Sequence, residues 1–244
     1  MNIHILGAAT GMPTLGLHHA AVAVYAADRT FLLDVGEGVS KQLMRTGLDG
    51  EALDFVAVSH YHPDHLSGLF MLLQMLKLQR RRKPLDVYLP EREDDMAAIL
   101  RMFYTFPETM GFELRLLPME TLHDNEPFLT PLPSDHLHCF YDAYVEKQGL
   151  SNPCLSWSFM VEKDGRRAIY TADVQKIEAL EPYLDGSDML IIDALHPSAD
   201  VIMALAERKI ARIVLTHGLS SAIKPLMNNN PAFEIANEST DYTV

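Results

Sequence analysis

The 244-residue sequence has only two cysteines, an excess of acidic over basic side chains and no long uninterrupted apolar run. Cys139 and Cys154 are too few for a disulfide framework, which argues against a small secreted scaffold. The stretch MNIHILGAATGMP lacks a basic segment followed by a long apolar one, so we expect no secretion signal. No apolar stretch is long enough to cross a bilayer, and we therefore expect a cytoplasmic protein without membrane contact.

Basic residues are scarce, because 33 acidic and 20 basic side chains give a formal net charge of −13. A field of this sign repels polyanions, which disfavours non-specific binding to nucleic acids or anionic membranes. The dense basic run at residues 80–83 ends a predicted helix, and we interpret it as a solvated cationic helix end. The length and the 48% hydrophobic content predict a single domain over residues 1–244.

Short β-rich runs alternate with helical segments along the chain, which predicts an α/β protein. Two hairpins are expected, one around the AADR turn and one around the KDGR turn. Residues 107–135 contain several prolines and are predicted to be irregular apart from a strand at 113–117. The predicted helices are 38–46, 66–83, 91–106, 175–184 and 198–209, and a last strand is expected in the tail, 232–244.

Polar residues stand at the carboxyl ends of β-rich runs in both halves of the chain. They are Asp34, His60, Asp173, Asp193 and His217. In sheets packed with helices, ligands collect just beyond the carboxyl ends of the strands. We therefore expect these side chains to converge on one site.

The stretch SHYHPDH carries four potential metal ligands within six residues. His60 and His62 point to the same side of an extended segment and can bind one ion, while Asp64 and His65 follow a bend and can reach a second. A solvated turn has no need of four such side chains at a strand-to-helix junction. The mixture of imidazole and carboxylate favours Zn²⁺, with Mn²⁺ or Fe²⁺ as alternatives.

Further ligands must come from distant parts of the chain. Asp173 and His217 end β-rich runs, and either His136 or His138 in the stretch PSDHLHCF can complete the shell of the first ion. Cys139 is another potential ligand, but we interpret it as a small buried thiol.

These residues resemble the signature of the metallo-β-lactamase-fold hydrolases. SHYHPDH matches the pattern His-x-His-x-Asp-His, and the five motifs of that family have counterparts over nearly the whole chain. These counterparts are Asp34, His60/His62/Asp64/His65, His136, Asp173 and His217. The resemblance implies an αββα four-layer sandwich, in which two mixed β-sheets are flanked by helices, with a dinuclear metal site at one edge.

Three stretches are similar to the ribonuclease Z branch of this family, the tRNA 3′-end processing endonucleases. They are LGAATGMPTLG, LLDVGEGVSKQLMRTGL and GLFMLLQMLKLQRRRKPLDVYLP. The same branch includes phosphodiesterases that act on small substrates, and a homodimer is usual in it.

The resemblance also implies two sets of three metal ligands and one bridging carboxylate. These are His60, His62 and His136 for one ion, Asp64, His65 and His217 for the other, and Asp173 as the bridge. Asp34 would support the histidine loop through hydrogen bonds. His136 is preferred to His138 because the histidine of the third motif tends to follow its strand directly.

The sequence departs from the ribonuclease Z pattern at three places. Residues 192–195 read Ile-Asp-Ala-Leu where that branch has His-Glu-Ala-Thr, so Asp193 keeps the acid and His196 is the candidate substitute for the histidine. No long flexible arm for clamping tRNA is recognisable. Residues 140–153 form an insertion that can cover the site and select a smaller substrate.

The sequence therefore predicts a hydrolase with two divalent metal ions, in which a metal-bridging hydroxide attacks a small phosphodiester or related ester. The resemblance implies that Asp64 accepts the proton of the attacking water and leaves His196 as an acid or oxyanion donor. tRNA 3′-end processing is an alternative within the branch, and the negative charge argues against it. A non-catalytic metal-dependent carrier or interaction protein is the alternative from a different class.

Overall fold

A computed structural model describes residues 1–227, 230–238 and 240–244. The chain divides into two compact units: unit 1 contains Met1–Leu122 and Asn237–Thr243, and unit 2 contains His123–Ala236 and Val244. In the described part of the chain, no helix combines the length and apolarity that crossing a membrane requires.

The strands of both units follow the predicted β-rich runs closely. In chain order they are β1 (Asn2–Gly7), β2 (Ala21–Ala26), β3 (Arg29–Leu33), β4 (Phe55–Ala57), β5 (Leu85–Leu89), β6 (Leu114–Pro118), β7 (Leu129–Ser134), β8 (Ser156–Lys163), β9 (Arg166–Tyr170), β10 (Met189–Asp193), β11 (Ile213–Thr216), β12 (Glu234–Ile235) and β13 (Asp241–Thr243). Both predicted hairpins are present, as β2–β3 and β8–β9.

The α-helices are shorter than the predicted ones. They are α1 (Val39–Thr46), α2 (Pro63–Leu66), α3 (Gly68–Leu78), α4 (Glu93–Met102), α5 (Leu122–Asn125), α6 (His136–Gln148), α7 (Glu181–Leu184) and α8 (Ala199–Ala204). The helix predicted at 175–184 is reduced to α7, whose start coincides with Glu181 and Pro182. The predicted tail strand is two short strands, β12 and β13, and Ser239 between them lies outside the described residues.

The sheet of unit 1 has, among the described residues, the strand order β13-β1-β2-β3-β4-β5-β6. The pairs from β13 to β3 are antiparallel, and those from β3 to β6 are parallel. Parallel neighbours end at the same edge of a sheet. Asp34, which follows β3, and His60, which follows β4, are therefore brought to one edge.

Helix α3 anchors this sheet through an apolar stripe. Leu69, Leu72, Leu73 and Leu76 are fully buried in the core cluster of unit 1. Their spacing of three and four residues puts them on one face of the helix. Each buried leucine contributes roughly 1.5–3 kcal/mol of hydrophobic stabilisation.

The basic run at 80–83 follows the end of α3, and Arg80 and Arg82 are exposed there as expected, whereas Arg81 is not. Helix α3 ends at Leu78 because Arg80 takes a left-handed φ of 60°. The amide groups of Arg80 and Arg81 donate to the carbonyls of Lys77 and Leu76. The Arg81 side chain then turns inward and is buried, with a relative exposure of 2%.

The Arg81 guanidinium ties three backbone segments together. It donates to the carbonyl oxygens of Leu53, Lys83 and Pro84 at 2.7 Å each, and also to that of Gly50. Burial lowers the pKa of this guanidinium from its ordinary value, but an arginine stays charged well below that range. The carbonyl dipoles therefore compensate a buried charge.

The sheet of unit 2 has, among the described residues, the order β12-β11-β10-β9-β8-β7. Strands β12 to β9 pair in parallel, whereas β9, β8 and β7 pair antiparallel. Strands β7, β9, β10 and β11 consequently run in one direction and end at the same edge. That edge receives His136, Asp173, Asp193 and His217.

Strand β7 lies in the region that we predicted to be irregular. Its sequence LTPLPS contains Pro131 and Pro133, which cannot donate hydrogen bonds to a neighbouring strand. The strand is nevertheless possible because β7 is an edge strand that pairs only with β8. The proline content of this segment therefore did not predict its secondary structure.

We predict that Arg81→Ala lowers the free energy of unfolding by about 3 kcal/mol, because it removes the charged donor from several buried carbonyl groups. Urea unfolding followed by circular dichroism measures the difference. Arg82→Ala is the matched control: Arg82 is exposed, and its loss is expected to cost less than about 0.5 kcal/mol. Equal stability of the two variants would contradict the structural role of Arg81.

Candidate metal centre

The histidine loop of unit 1 leaves β4 and enters α2. His60, Asp64 and His65 are buried, and His62 is half-buried. The ring centroids of His60 and His62 are 4.7 Å apart, and those of His60 and His65 are 4.2 Å apart. Pro63 at the first position of α2 starts the helix without needing a partner for its nitrogen. Three imidazoles and a carboxylate are thereby gathered in one short loop.

The carboxylate of Asp34 holds this loop in place through hydrogen bonds. It accepts hydrogen bonds from the Ser59 amide at 2.7 Å, from the Ser59 hydroxyl at 3.0 Å and from Nδ1 of His65 at 2.8 Å. Asp34 is fully buried, so these donors compensate its charge. The supporting contacts predicted for Asp34 are confirmed.

The same hydrogen bonds select the tautomers of two imidazoles. Nδ1 of His65 must carry the proton that it donates to Asp34. The Ser59 hydroxyl donates a hydrogen bond to Asp34 and lies 2.9 Å from Nδ1 of His60, so it accepts a hydrogen bond from the N–H at that nitrogen. In the neutral form both rings then hold their lone pair on Nε2, the state required of a metal ligand.

Two glycines allow the loop to approach the end of β3. The Gly68 amide donates to the Val35 carbonyl at 2.8 Å, and the Val35 amide donates to the His65 carbonyl at 2.8 Å. A Cβ atom on Gly68 would lie 2.1 Å from the Gly36 oxygen, and one on Gly36 would lie 2.2 Å from the Asp64 oxygen. No larger residue fits at either position without moving the backbone.

In unit 2, the Asp173 carboxylate lies among three imidazoles. Its Oδ2 atom is 3.5 Å from Nε2 of His136, 3.3 Å from Nε2 of His217 and 3.8 Å from Nδ1 of His196. Asp173, His136 and His217 are each at most 4% exposed. The predicted ligands of unit 2 are thus brought together.

These separations are those of neighbouring metal ligands rather than of hydrogen bonds. Direct N–H···O bonds have a usual length of about 2.7–3.2 Å. Two ligands bound tetrahedrally at about 2.0–2.2 Å lie about 3.3–3.6 Å apart. The contacts of Asp173 with His136 and His217 fall within that interval, and so does the 3.6 Å between Asp64 Oδ2 and His65 Nε2.

Asp193 holds His196 in the way that Asp34 holds His65. Its carboxylate accepts from Nδ1 of His196 at 2.7 Å, from the Val174 amide at 3.1 Å and from the Leu195 amide at 2.8 Å. The His196 ring stacks on that of His217, with centroids 5.4 Å apart and an interplanar angle of 27°. Asp193, His196 and Asp173 also form a cluster of potential metal ligands.

The structure separates the two histidines between which the sequence left a choice. His136 is buried beside Asp173, whereas His138 is exposed and lies 2.9 Å from the Asp142 carboxylate in the next helical turn. Cys139, predicted to be buried, is exposed, because α6 buries only its first two residues.

Backbone strain marks the site, and sequence patterns gave little indication of it. Asp34, Ala172 and His217 have left-handed φ values of 62°, 49° and 60°. Such conformations are uncommon for residues other than glycine and cluster at functional sites. Asp34 is the one of the three whose residue type tolerates this region well.

We predict that Asp34→Ala lowers the free energy of unfolding by about 3 kcal/mol, because buried donors of Ser59 and His65 lose their acceptor. Asp34→Asn should cost less, since its amide oxygen still accepts from Ser59 and asparagine tolerates the left-handed backbone. Urea unfolding of the two variants measures the order. A wild-type midpoint for Asp34→Ala would contradict this account.

Known proteins are similar to the part of the chain that contains these residues. A family model described as beta-lactamase superfamily domain matches residues 29–219. Ribonuclease Z of Aeropyrum pernix is 34% identical over 118 residues, which cover 48% of this chain and 37% of that protein. Ribonuclease Z of Methanosarcina mazei is 23% identical over 94% of this chain and 92% of its own length. The alignment thus spans little more than a third of the first relative and nearly all of the second.

Two solved structures share the fold over the whole chain. The short form of human tRNase Z superposes with a TM-score of 0.73 at 21% identity, covering 100% of this chain and 99% of its own. A diphosphatase of the PhnP family gives 0.72 at 19% identity, covering 100% and 97%. The mixed sheets, the helices and the family match agree: this chain belongs to the beta-lactamase superfamily, has the metallo-β-lactamase fold and is similar in sequence to ribonuclease Z.

Proposed function

We propose that this protein cleaves a small phosphodiester or a related ester with two divalent metal ions, residues 1–244 acting as one hydrolase domain. The proposed ligands are His60, His62 and His136 for one ion, Asp64, His65 and His217 for the other, and Asp173 as the bridge. One observation carries the proposal. The Oδ2 atom of Asp173 lies 3.5 Å from Nε2 of His136 and 3.3 Å from Nε2 of His217, which is the separation of neighbouring metal ligands.

The donor set suits zinc. Imidazole nitrogens dominate it, and such sites bind Zn²⁺ or Fe²⁺, whereas Mg²⁺ and Ca²⁺ prefer oxygen-only sets. The Nε2 lone pairs of His60 and His65 follow from the hydrogen bonds at their Nδ1 atoms. We propose Zn²⁺ as the native ion, with Mn²⁺ or Fe²⁺ as alternatives.

A metal ion or a side chain is available for each step of the proposed hydrolysis. When bound, the metal ions would supply Lewis acidity to the phosphoryl oxygen and lower the pKa of the attacking water. Asp64 accepts the proton of that water. His196 in its imidazolium form donates the Nε2 proton to the leaving alkoxide and becomes neutral, while its Nδ1–H stays held by Asp193 at 2.7 Å.

Charge favours a small substrate over tRNA. Binding of tRNA depends on many phosphate contacts from lysine and arginine. The run at 80–83 offers few of them, since Arg81 is buried on carbonyl groups and Lys83 lies 3.0 Å from the Asp54 carboxylate. The structural similarity to the diphosphatase of the PhnP family also supports a small phosphorus ester as the substrate. The ribonuclease Z relatives favour tRNA 3′-end processing as the second candidate.

Two further properties belong to the proposal. The low cysteine content, with only Cys139 and Cys154 in the sequence, fits a reducing, cytoplasmic setting. A homodimer follows from the similarity to the ribonuclease Z branch.

We predict that the zinc-loaded protein hydrolyses bis(p-nitrophenyl) phosphate and leaves a 3′-extended tRNA intact. A chelator should abolish the activity, and added Zn²⁺ should restore it. Efficient cleavage of the tRNA would transfer the assignment to the second candidate. Bound metal without hydrolysis of any ester would favour a carrier, and absence of bound metal would refute the proposal.

The neighbouring histidines of α6 provide a matched pair for this test. His136→Ala should lose metal and reduce diester hydrolysis by at least about 100-fold, because it removes a ligand. His138→Ala should retain both, because His138 is exposed and contacts Asp142. The opposite result would move the third-motif ligand to His138.

For His196 we predict a loss that depends on the leaving group. His196→Ala should reduce kcat by about 100-fold or more for a diester with an alkanol leaving group, which needs a proton. With p-nitrophenolate, a stable anion, the loss should be less than about tenfold. Steady-state kinetics at constant zinc content measure both, and equal losses would exclude His196 as the acid.

A further inference from the structure

Helix α6 carries exposed aromatic rings that the proposed reaction does not explain. Of its 13 residues, only His136 and Leu137 are buried. Phe140 and Tyr144 have relative exposures of 53% and 58%. A helix of a globular protein ordinarily buries an apolar stripe, so packing does not account for aromatic residues at these positions.

The exposed rings form a row that begins at a proposed metal ligand. His136, Phe140 and Tyr144 are spaced four residues apart and therefore lie on one face of α6. The row extends along the helix axis for about 12 Å. It thus leads from the end of β7 outward along the insertion at residues 140–153.

Phe140 contacts the imidazoles that the proposed reaction uses. Its ring centroid lies 5.3 Å from that of His136, at an interplanar angle of 62°, and 6.0 Å from that of His196, at 67°. The rings of His136 and His196 are themselves 4.7 Å apart. A group esterified to a phosphate bound at these imidazoles would therefore meet the exposed side of Phe140.

We propose that Phe140 is a stacking platform for a nucleobase, so that the substrate of this hydrolase is a nucleotide diester. The inference rests on the proposed function and adds the chemical class of the substrate. Aromatic side chains bind every base through its π-face, in offset or edge-to-face arrangements. Stacking requires no basic side chain, which is consistent with an acidic protein.

The test compares two ligands that differ only in the base. Binding of adenosine 5′-monophosphate and of ribose 5-phosphate to the zinc-loaded protein is measured by isothermal titration calorimetry. The wild-type protein should bind the nucleotide at least about tenfold more tightly. Phe140→Ala should remove about tenfold of that preference and change the affinity for ribose 5-phosphate less than about twofold.

Two variants control for general effects on the helix. Phe140→Trp should retain the preference, because it keeps an aromatic face. Tyr141→Ala should also retain it, because Tyr141 is a neighbouring exposed aromatic residue that lies on a different face of α6. A wild-type protein without preference, or an unchanged preference in Phe140→Ala, would overturn the inference.

The two proposals can fail separately. Loss of the preference in Phe140→Ala without any ester hydrolysis by the wild-type protein would refute the proposed function and leave the base-binding site standing. Hydrolysis of bis(p-nitrophenyl) phosphate with an unchanged preference would refute the base-binding site alone.

Discussion

Buried strand-end carboxylates orient the imidazoles on which the proposed chemistry of this protein depends. In unit 1, Asp34 accepts from the neighbouring strand end at Ser59 and from Nδ1 of His65. In unit 2, Asp193 accepts from the neighbouring strand end at Val174 and from Nδ1 of His196. Each unit thus uses the same arrangement, in which parallel strands end together and a carboxylate fixes both the ring and its tautomer.

The sequence was most informative where chemistry and periodicity coincide. The histidine loop could be predicted from four potential ligands in six residues, and Asp173 and His217 from their positions after β-rich runs. These predictions depend on strand direction, which is fixed by parallel pairing and is insensitive to exact strand boundaries. The association of Asp34 with the loop came from resemblance, and its hydrogen bonds now explain it physically.

Other features depended on tertiary context that no local pattern contains. Arg81 belongs to a basic run, yet its guanidinium is buried because nearby backbone carbonyls face inward. Residues 140–148 were taken as part of an insertion, and they continue the helix that begins at His136. The prolines of β7 suggested an irregular segment, although an edge strand tolerates them. Burial and pairing, rather than propensity, decided each of these cases.

The central proposal is that seven side chains hold two metal ions and that Asp173 contacts both. Anomalous diffraction at the zinc absorption edge, from crystals of the zinc-loaded protein, tests it most directly. The account predicts two peaks, one bound by His60, His62 and His136 and the other by Asp64, His65 and His217, with Asp173 contacting both. No peak at these residues, or a single ion that does not contact Asp173, would contradict it.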